Sequence, residues 1–172
     1  AGLVFQHLTR SLDQMLIECF DEVNPERAKA SLNLNVESVF THSFQNLLEK
    51  GGKALSSLVL EFRAENILQN WDQFQTASEL ITSHGGTIAI DAIIPESLGV
   101  IDLPRLGAKL AKVFWRPGTE NSLPNYKDAI QNLQQRGTVL VMARVDDELA
   151  IKTAHACGIT MFQGFLIDDM VR

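Results

Sequence analysis

Short extended stretches recur along this chain, and a segment with helical spacing separates each from the next. Leu58-Val-Leu-Glu-Phe62, Thr87 to Asp91, Leu110 to Trp115 and Thr138 to Ala143 are apolar nearly throughout instead of alternating. A strand with one face in water alternates, so these strands are expected to be covered on both faces. Covered strands with a helix between each pair describe parallel β-structure with crossover connections. The expected class is therefore α/β, with about six mostly parallel strands. An open doubly wound sheet and a barrel both satisfy the pattern.

The full reading has eleven segments. A helix from Leu8 to Val23 places Leu8, Leu12, Met15, Leu16 and Cys19 on one packing face and stops at Asn24-Pro25. A strand follows over Ala30 to Asn35. A helix from Glu37 to Lys50 then carries Val39, Phe40, Phe44, Leu47 and Leu48 and ends at Gly51-Gly52. The strand Leu58 to Phe62 leads to a long helix from Glu65 to His84, closed by Gly85-Gly86. After the strand Thr87 to Asp91 come a loop with short helical turns and the strand Leu110 to Trp115. Asn125 to Arg136 is helical, capped by Gly137; Thr138 to Ala143 is a strand. Asp146 to Cys157 is a helix before Gly158, and Thr160 to Gln163 is a last short strand.

Composition excludes several roles. With 172 residues, 45% of them hydrophobic and 21% charged, the chain suits one domain able to bury its own core. A formal charge of −6 with no basic run argues against nucleic acid or a membrane surface as partner. Cys19 and Cys157 are too few and too separated for a disulfide framework or a zinc knuckle, and they read as buried thiols in a reducing compartment. No apolar stretch reaches the roughly 18–20 residues of a bilayer span. A cytoplasmic domain is expected, belonging to a longer signalling protein that could itself be membrane-anchored.

Polar residues stand at the carboxyl ends of the expected strands: Asn33, Glu61, Asp91 and Gln163. Sheets and barrels of this class place their sites there. A two-metal hydrolase needs adjacent acids at such a strand end, because bridging oxygens hold both cations. After Asp91 the neighbour is Ala92, which offers no ligand atom. Neither a G-x-G-x-x-G pattern nor a P-loop occurs, so a nucleotide-binding Rossmann fold is not expected. Asn33, Glu61 and Asp91 could supply a weak cation site, or Glu61 or Asp91 could pair with Lys112. The histidines at 7, 42, 84 and 155 read as surface residues, Trp71 and Trp115 as packing residues, and Asp168-Asp169 as solvated. Trp115-Arg116-Pro117-Gly118 is a candidate contact surface.

In order and spacing these segments resemble the EAL domains that hydrolyse cyclic di-GMP in bacteria. The family pattern runs N-l-S, E-i-T-E, D-D-F-G, K-i-D, A-E-G-V-E and Q-G-y, one motif per barrel strand. The corresponding segments here are Asn33-Leu-Asn35, Glu61-Phe-Arg-Ala64, Asp91-Ala-Ile-Ile94, Lys112-Val-Phe114, Met142-Ala-Arg-Val-Asp146 and Gln163-Gly-Phe165. The resemblance implies an incomplete TIM-like (β/α) barrel lacking the N-terminal E-A-L strand. It also implies vestigial site positions at Asn33, Glu61, Asp91, Lys112, Asp146 and Gln163.

The departures set the functional expectation. Ala92 stands for the second Asp, Phe114 for the Asp of K-i-D, and Ala143 for the first Glu of A-E-G-V-E, while Asp146 is one methylene shorter than the last Glu. The loop Ile94-Pro-Glu-Ser-Leu98 lacks the glycines of the family's metal-side loop. Neither catalysis nor a cofactor is expected. The chain reads as an inactive EAL-like module working through protein contacts, with a non-hydrolysing cyclic di-GMP receptor as the alternative. Lys112, Arg116 and Arg144 could supply charge to such a receptor, although the nucleotide is expected to bind weakly. An unclosed barrel leaves a strand edge at Ala30 to Leu34, so another protein or a second copy is expected on the open side.

Overall fold

The computed structural model describes residues 11–18, 30–49, 55, 56 and 58–171. Six strands lie in one sheet in chain order: β1 (Ala30–Asn33), β2 (Leu58–Arg63), β3 (Thr87–Ile93), β4 (Ala108–Phe114), β5 (Val139–Ala143) and β6 (Met161–Gln163). The pairs β1/β2, β4/β5 and β5/β6 are parallel. Sequential parallel order with intervening helices is the topology of a (β/α) barrel, and six strands fall short of the eight that close one. The expected class, an incomplete TIM-like α/β fold, is what the described residues form. Their helices include α1 (residues 11–18), α2 (His42–Glu49), α3 (Ala64–Gln69), α4 (Trp71–Ser83), α5 (Lys127–Gln135), α6 (Glu148–Ala156) and α7 (Phe165–Val171). None is long and apolar enough to cross a membrane.

The chain divides into two compact units, Ala1–Ala89 and Ile90–Arg172. In the first, Leu58, Leu60 and Phe62 of β2 are wholly buried, as are Phe44 of α2 and Phe74, Ala77 and Ile81 of α4. Phe74, Ala77, Ser78 and Ile81 recur at helical spacing, so α4 buries one stripe. Phe62 meets Phe74 edge to face, with ring centroids 5.4 Å apart. In the second unit the core is Ala111 and Val113 of β4, Leu140 and Met142 of β5, and Ile130, Ala150 and Ala154 from the helices.

Three helices stop in the same way. The N–H of Gly86 donates to Ile81 O, that of Thr138 to Leu133 O, and that of Ile159 to Ala154 O. The residue before each is Gly85, Gly137 or Gly158, with φ of 79°, 92° and 93°. This is the left-handed closure that glycine adopts without a Cβ penalty, and it is why the sequence marked these ends correctly.

The helix starts and breaks were less legible. The expected helix Glu37 to Lys50 is a 3-10 turn, Val36–Phe40, followed by α2. Thr41 separates them: its hydroxyl donates to Ser38 O at 2.7 Å and accepts from the Phe44 N–H at 3.4 Å. The expected helix Glu65 to His84 is likewise two, broken at Asn70, whose side chain turns back to Asn66 O at 3.0 Å. Asp147 caps α6 by accepting from the Ala150 N–H at 2.8 Å, so Asp146 precedes the helix. Helix α7, just after β6, was not expected.

Several side chains lie where the helical period alone misplaced them. Leu12, Met15 and Leu16 are exposed, and the buried positions of α1 are Asp13 and Ile17. Asp13 sets this orientation, since its carboxylate accepts from the Asn35 N–H, the Asn35 amide and the Ser38 hydroxyl at 2.7–2.9 Å. Phe40 and Trp71 are exposed as well, whereas Trp115 is half-buried. Leu8, His7 and Cys19 lie outside the described residues. His42, His84 and His155 are exposed as expected, and so are Asp168 and Asp169. Cys157 is buried, which pushes its thiol pKa up and keeps it protonated.

One close approach fixes the end of β6. A Cβ on Gly164 would lie 2.3 Å from Val145 N and 2.5 Å from Val145 O. The same stretch of backbone is held by the Val145 N–H to Gln163 O at 3.0 Å and the Leu166 N–H to Val145 O at 3.2 Å. Gly164→Ala is therefore expected to cost about 2 kcal/mol or more. Gly118→Ala, where a Cβ meets nothing within 4 Å, should cost only its left-handed strain of about 1 kcal/mol. Paired urea melts measure both, and equal costs would contradict the crowding argument.

Candidate functional site

In the first unit, the register of β1 and β2 sets Asn33 directly beside Glu61. The ladder continues one residue further through the Leu34 N–H to Glu61 O, at 2.9 Å. Asn33 is exposed, while Glu61 is buried and its carboxylate accepts a hydrogen bond from the Ser31 hydroxyl. A buried carboxylate needs such a donor. Ser31 was not singled out from the sequence, although it lies two residues before Asn33 and so on the same face of the strand. Asn35 is held by Asp13, and the Val36 N–H by the Asn66 side chain at 2.7 Å. These bonds fix the turn that leaves β1.

In the second unit, Phe114, Ala143 and Gln163 are aligned across three parallel strands, one residue from each. Lys112 lies two residues earlier on β4, opposite Val141 and on the same face as Phe114. Asp91 and Ala92 are half-buried on β3. Asp146 is exposed beyond the end of β5. Among the vestigial positions the structure therefore pairs Asn33 with Glu61 and puts Gln163 in register with two apolar residues.

Ala92 and Arg144 are the non-glycine residues with positive φ among those described, at 61° and 62°. Each is at a strand end. A left-handed residue with a Cβ costs about 1 kcal/mol or more and persists where surrounding structure holds it. Arg144 falls where the resemblance would put the glycine of A-E-G-V-E, a residue that adopts a positive φ without a Cβ penalty. Its guanidinium lies 4.0 Å from the centre of the Phe114 ring. A cation thus covers the aromatic ring at the end of β4.

The donor set does not fit a pair of bridging cations. Ala92, Phe114 and Ala143 carry no ligand atom, and the described residues hold no group of three or more His, Cys, Asp or Glu side chains at metal-binding spacing. Arg116 is engaged by Glu96 at 3.2 Å on the surface. Its N–H donates to the Thr119 hydroxyl at 3.1 Å, which shapes the Trp115 to Gly118 turn.

The sequence matches no family model and no curated protein. Solved structures do resemble the chain. The Bacillus subtilis YkuI protein, with an EAL domain, in complex with substrate c-di-GMP and calcium, is 23% identical at a TM-score of 0.63; the match covers 80% of this chain and 36% of that one. Vibrio cholerae LapD S helix-GGDEF-EAL bound to c-di-GMP is 16% identical at a TM-score of 0.75, covering 92% and 42%. The Xanthomonas citri FimX EAL domain in complex with c-diGMP is 11% identical at 0.73, covering 95% and 71%. This chain has the fold of EAL domains. It spans well under half the length of the YkuI and LapD chains.

A double-mutant cycle tests the Arg144–Phe114 contact. Arg144→Gln and Phe114→Leu should show a coupling of about 0.5–1 kcal/mol in stability, as for an exposed cation–π pair. Additive effects would show that the stacking contributes nothing.

Proposed function

We propose that this chain is a catalytically inactive EAL-like regulatory module, acting through protein contacts in bacterial cyclic di-GMP signalling, in the cytoplasm. The observation that carries the reading is the row of strand ends in the second unit. There Phe114 lies under Arg144 and beside Ala143, where metal-bridging chemistry would need acids. Ala92 extends the same replacement to β3. The nucleotide enters through the fold, since EAL domains of this shape have been solved with c-di-GMP bound. The β1 edge, which ends the strand order among the described residues, supplies one surface for a partner or a second copy. Strand β1 ends the strand order, with Ser31 and Asn33 exposed.

A second reading, a receptor that binds cyclic di-GMP without cleaving it, is favoured by Lys112 and Arg144 in the second unit. Against it, the Ile94 to Leu98 loop has no glycine, and Glu96 from that loop engages Arg116.

Product chromatography with Mg²⁺ or Mn²⁺ should detect no hydrolysis of cyclic di-GMP, and calorimetry on the same sample should show weak binding or none. Turnover that Glu61→Ala abolishes would overturn the inactive reading. A sub-micromolar dissociation constant without turnover would put the receptor reading first.

A further inference from the structure

The proposed role needs a surface for a partner, and the first unit carries one apart from its sheet edge. The 3-10 turn Val36–Phe40 and helix α4 enclose an open groove of about 570 Å³, lined by Glu37, Phe40, Asp72, Gln73 and Thr76. Phe40 is 44% exposed, although its place in the helical period marked it as a core residue. The break at Thr41 turns it outward. Trp71 begins the same helix and is 41% exposed.

The two acids make the groove selective. Neither the Glu37 nor the Asp72 carboxylate has a hydrogen-bond or ion-pair partner among the described residues. Among the described residues of this unit the cation is Arg63, at the end of β2; Arg10, Arg27, Lys29, Lys50 and Lys53 lie outside them. An exposed aromatic ring and two carboxylates lining one groove favour a cation through both ring and charge. It also gives an apolar side chain a surface to cover, as interface anchors do.

We propose that this groove is the docking site for a basic segment of a partner protein, with Lys or Arg reaching Glu37 and Asp72 and an apolar side chain resting on Phe40. The inference rests on the protein-contact reading and names the chemistry of the partner.

A labelled Lys/Leu amphipathic peptide of about 12 residues serves as probe, with a Glu/Leu peptide of equal length as control. Amide shifts mapped on the whole chain should concentrate at 36–40 and 72–76 for the basic peptide and be absent for the acidic one. Binding should weaken with added salt, as screening requires. Glu37→Gln with Asp72→Asn should weaken it about five- to tenfold, and Phe40→Ser by a similar factor, with melting curves unchanged. Asp72→Lys gives an independent charge reversal and should abolish binding. Equal affinity in these variants, shifts elsewhere on the surface, or no binding would each overturn the groove assignment. Those outcomes leave the inactive reading standing, because cyclic di-GMP turnover is measured separately.

Discussion

The hydrogen-bonded ladder from β4 through β5 to β6 decides which side chains meet at the strand ends of the second unit. It is pinned at both ends. At the start, the Thr138 hydroxyl donates to Ala108 O at 3.1 Å, in a buried position. At the finish, the Trp115 N–H donates to Ala143 O at 2.8 Å and the Val145 N–H to Gln163 O at 3.0 Å. A slip of one residue would turn every side chain to the opposite face, so register and site are one constraint. With the ladder fixed, Phe114, Ala143 and Gln163 must share a row.

That row carries little of the like-charge repulsion that a cluster of acids would create. Acids gathered at one sheet end repel unless cations neutralise them, and they hold protons when forced together. Here an aromatic ring, a methyl group and one amide form the row, and the Arg144 guanidinium lies over Phe114. Left-handed strain at Ala92 and Arg144 persists alongside this arrangement. In the first unit Glu61 survives as a buried acid because Ser31 donates to it.

The strand count, the parallel order and the glycine-terminated helices were all legible, because apolar runs and left-handed caps are local signals. The reading of Ala92, Phe114 and Ala143 as places where the family pattern has acids rests on the motif spacing alone. Three things were not legible. The breaks at Thr41 and Asn70 arise from side chains turned onto nearby carbonyls, which compete with a helix whose apolar period continues unbroken. The orientation of α1 depends on one buried carboxylate, Asp13, whose partners lie more than twenty residues away. Arg144 over Phe114 required the register, since the two are thirty residues apart in sequence.

The central claim is that apolar packing and one guanidinium, with no bound divalent cation, complete the strand ends. Thermal unfolding with and without Mn²⁺ at constant ionic strength tests it most directly. A cation held by the folded state at a hundred times its dissociation constant adds about 2.7 kcal/mol, which would raise the melting temperature of a chain this size by several degrees. The account predicts a change below about 1 °C for the natural sequence, since the described residues gather no group of three or more metal-binding side chains. It also predicts a clear Mn²⁺-dependent rise once Ala92→Asp, Phe114→Asp and Ala143→Glu are introduced together. A rise of several degrees in the unaltered chain would contradict it.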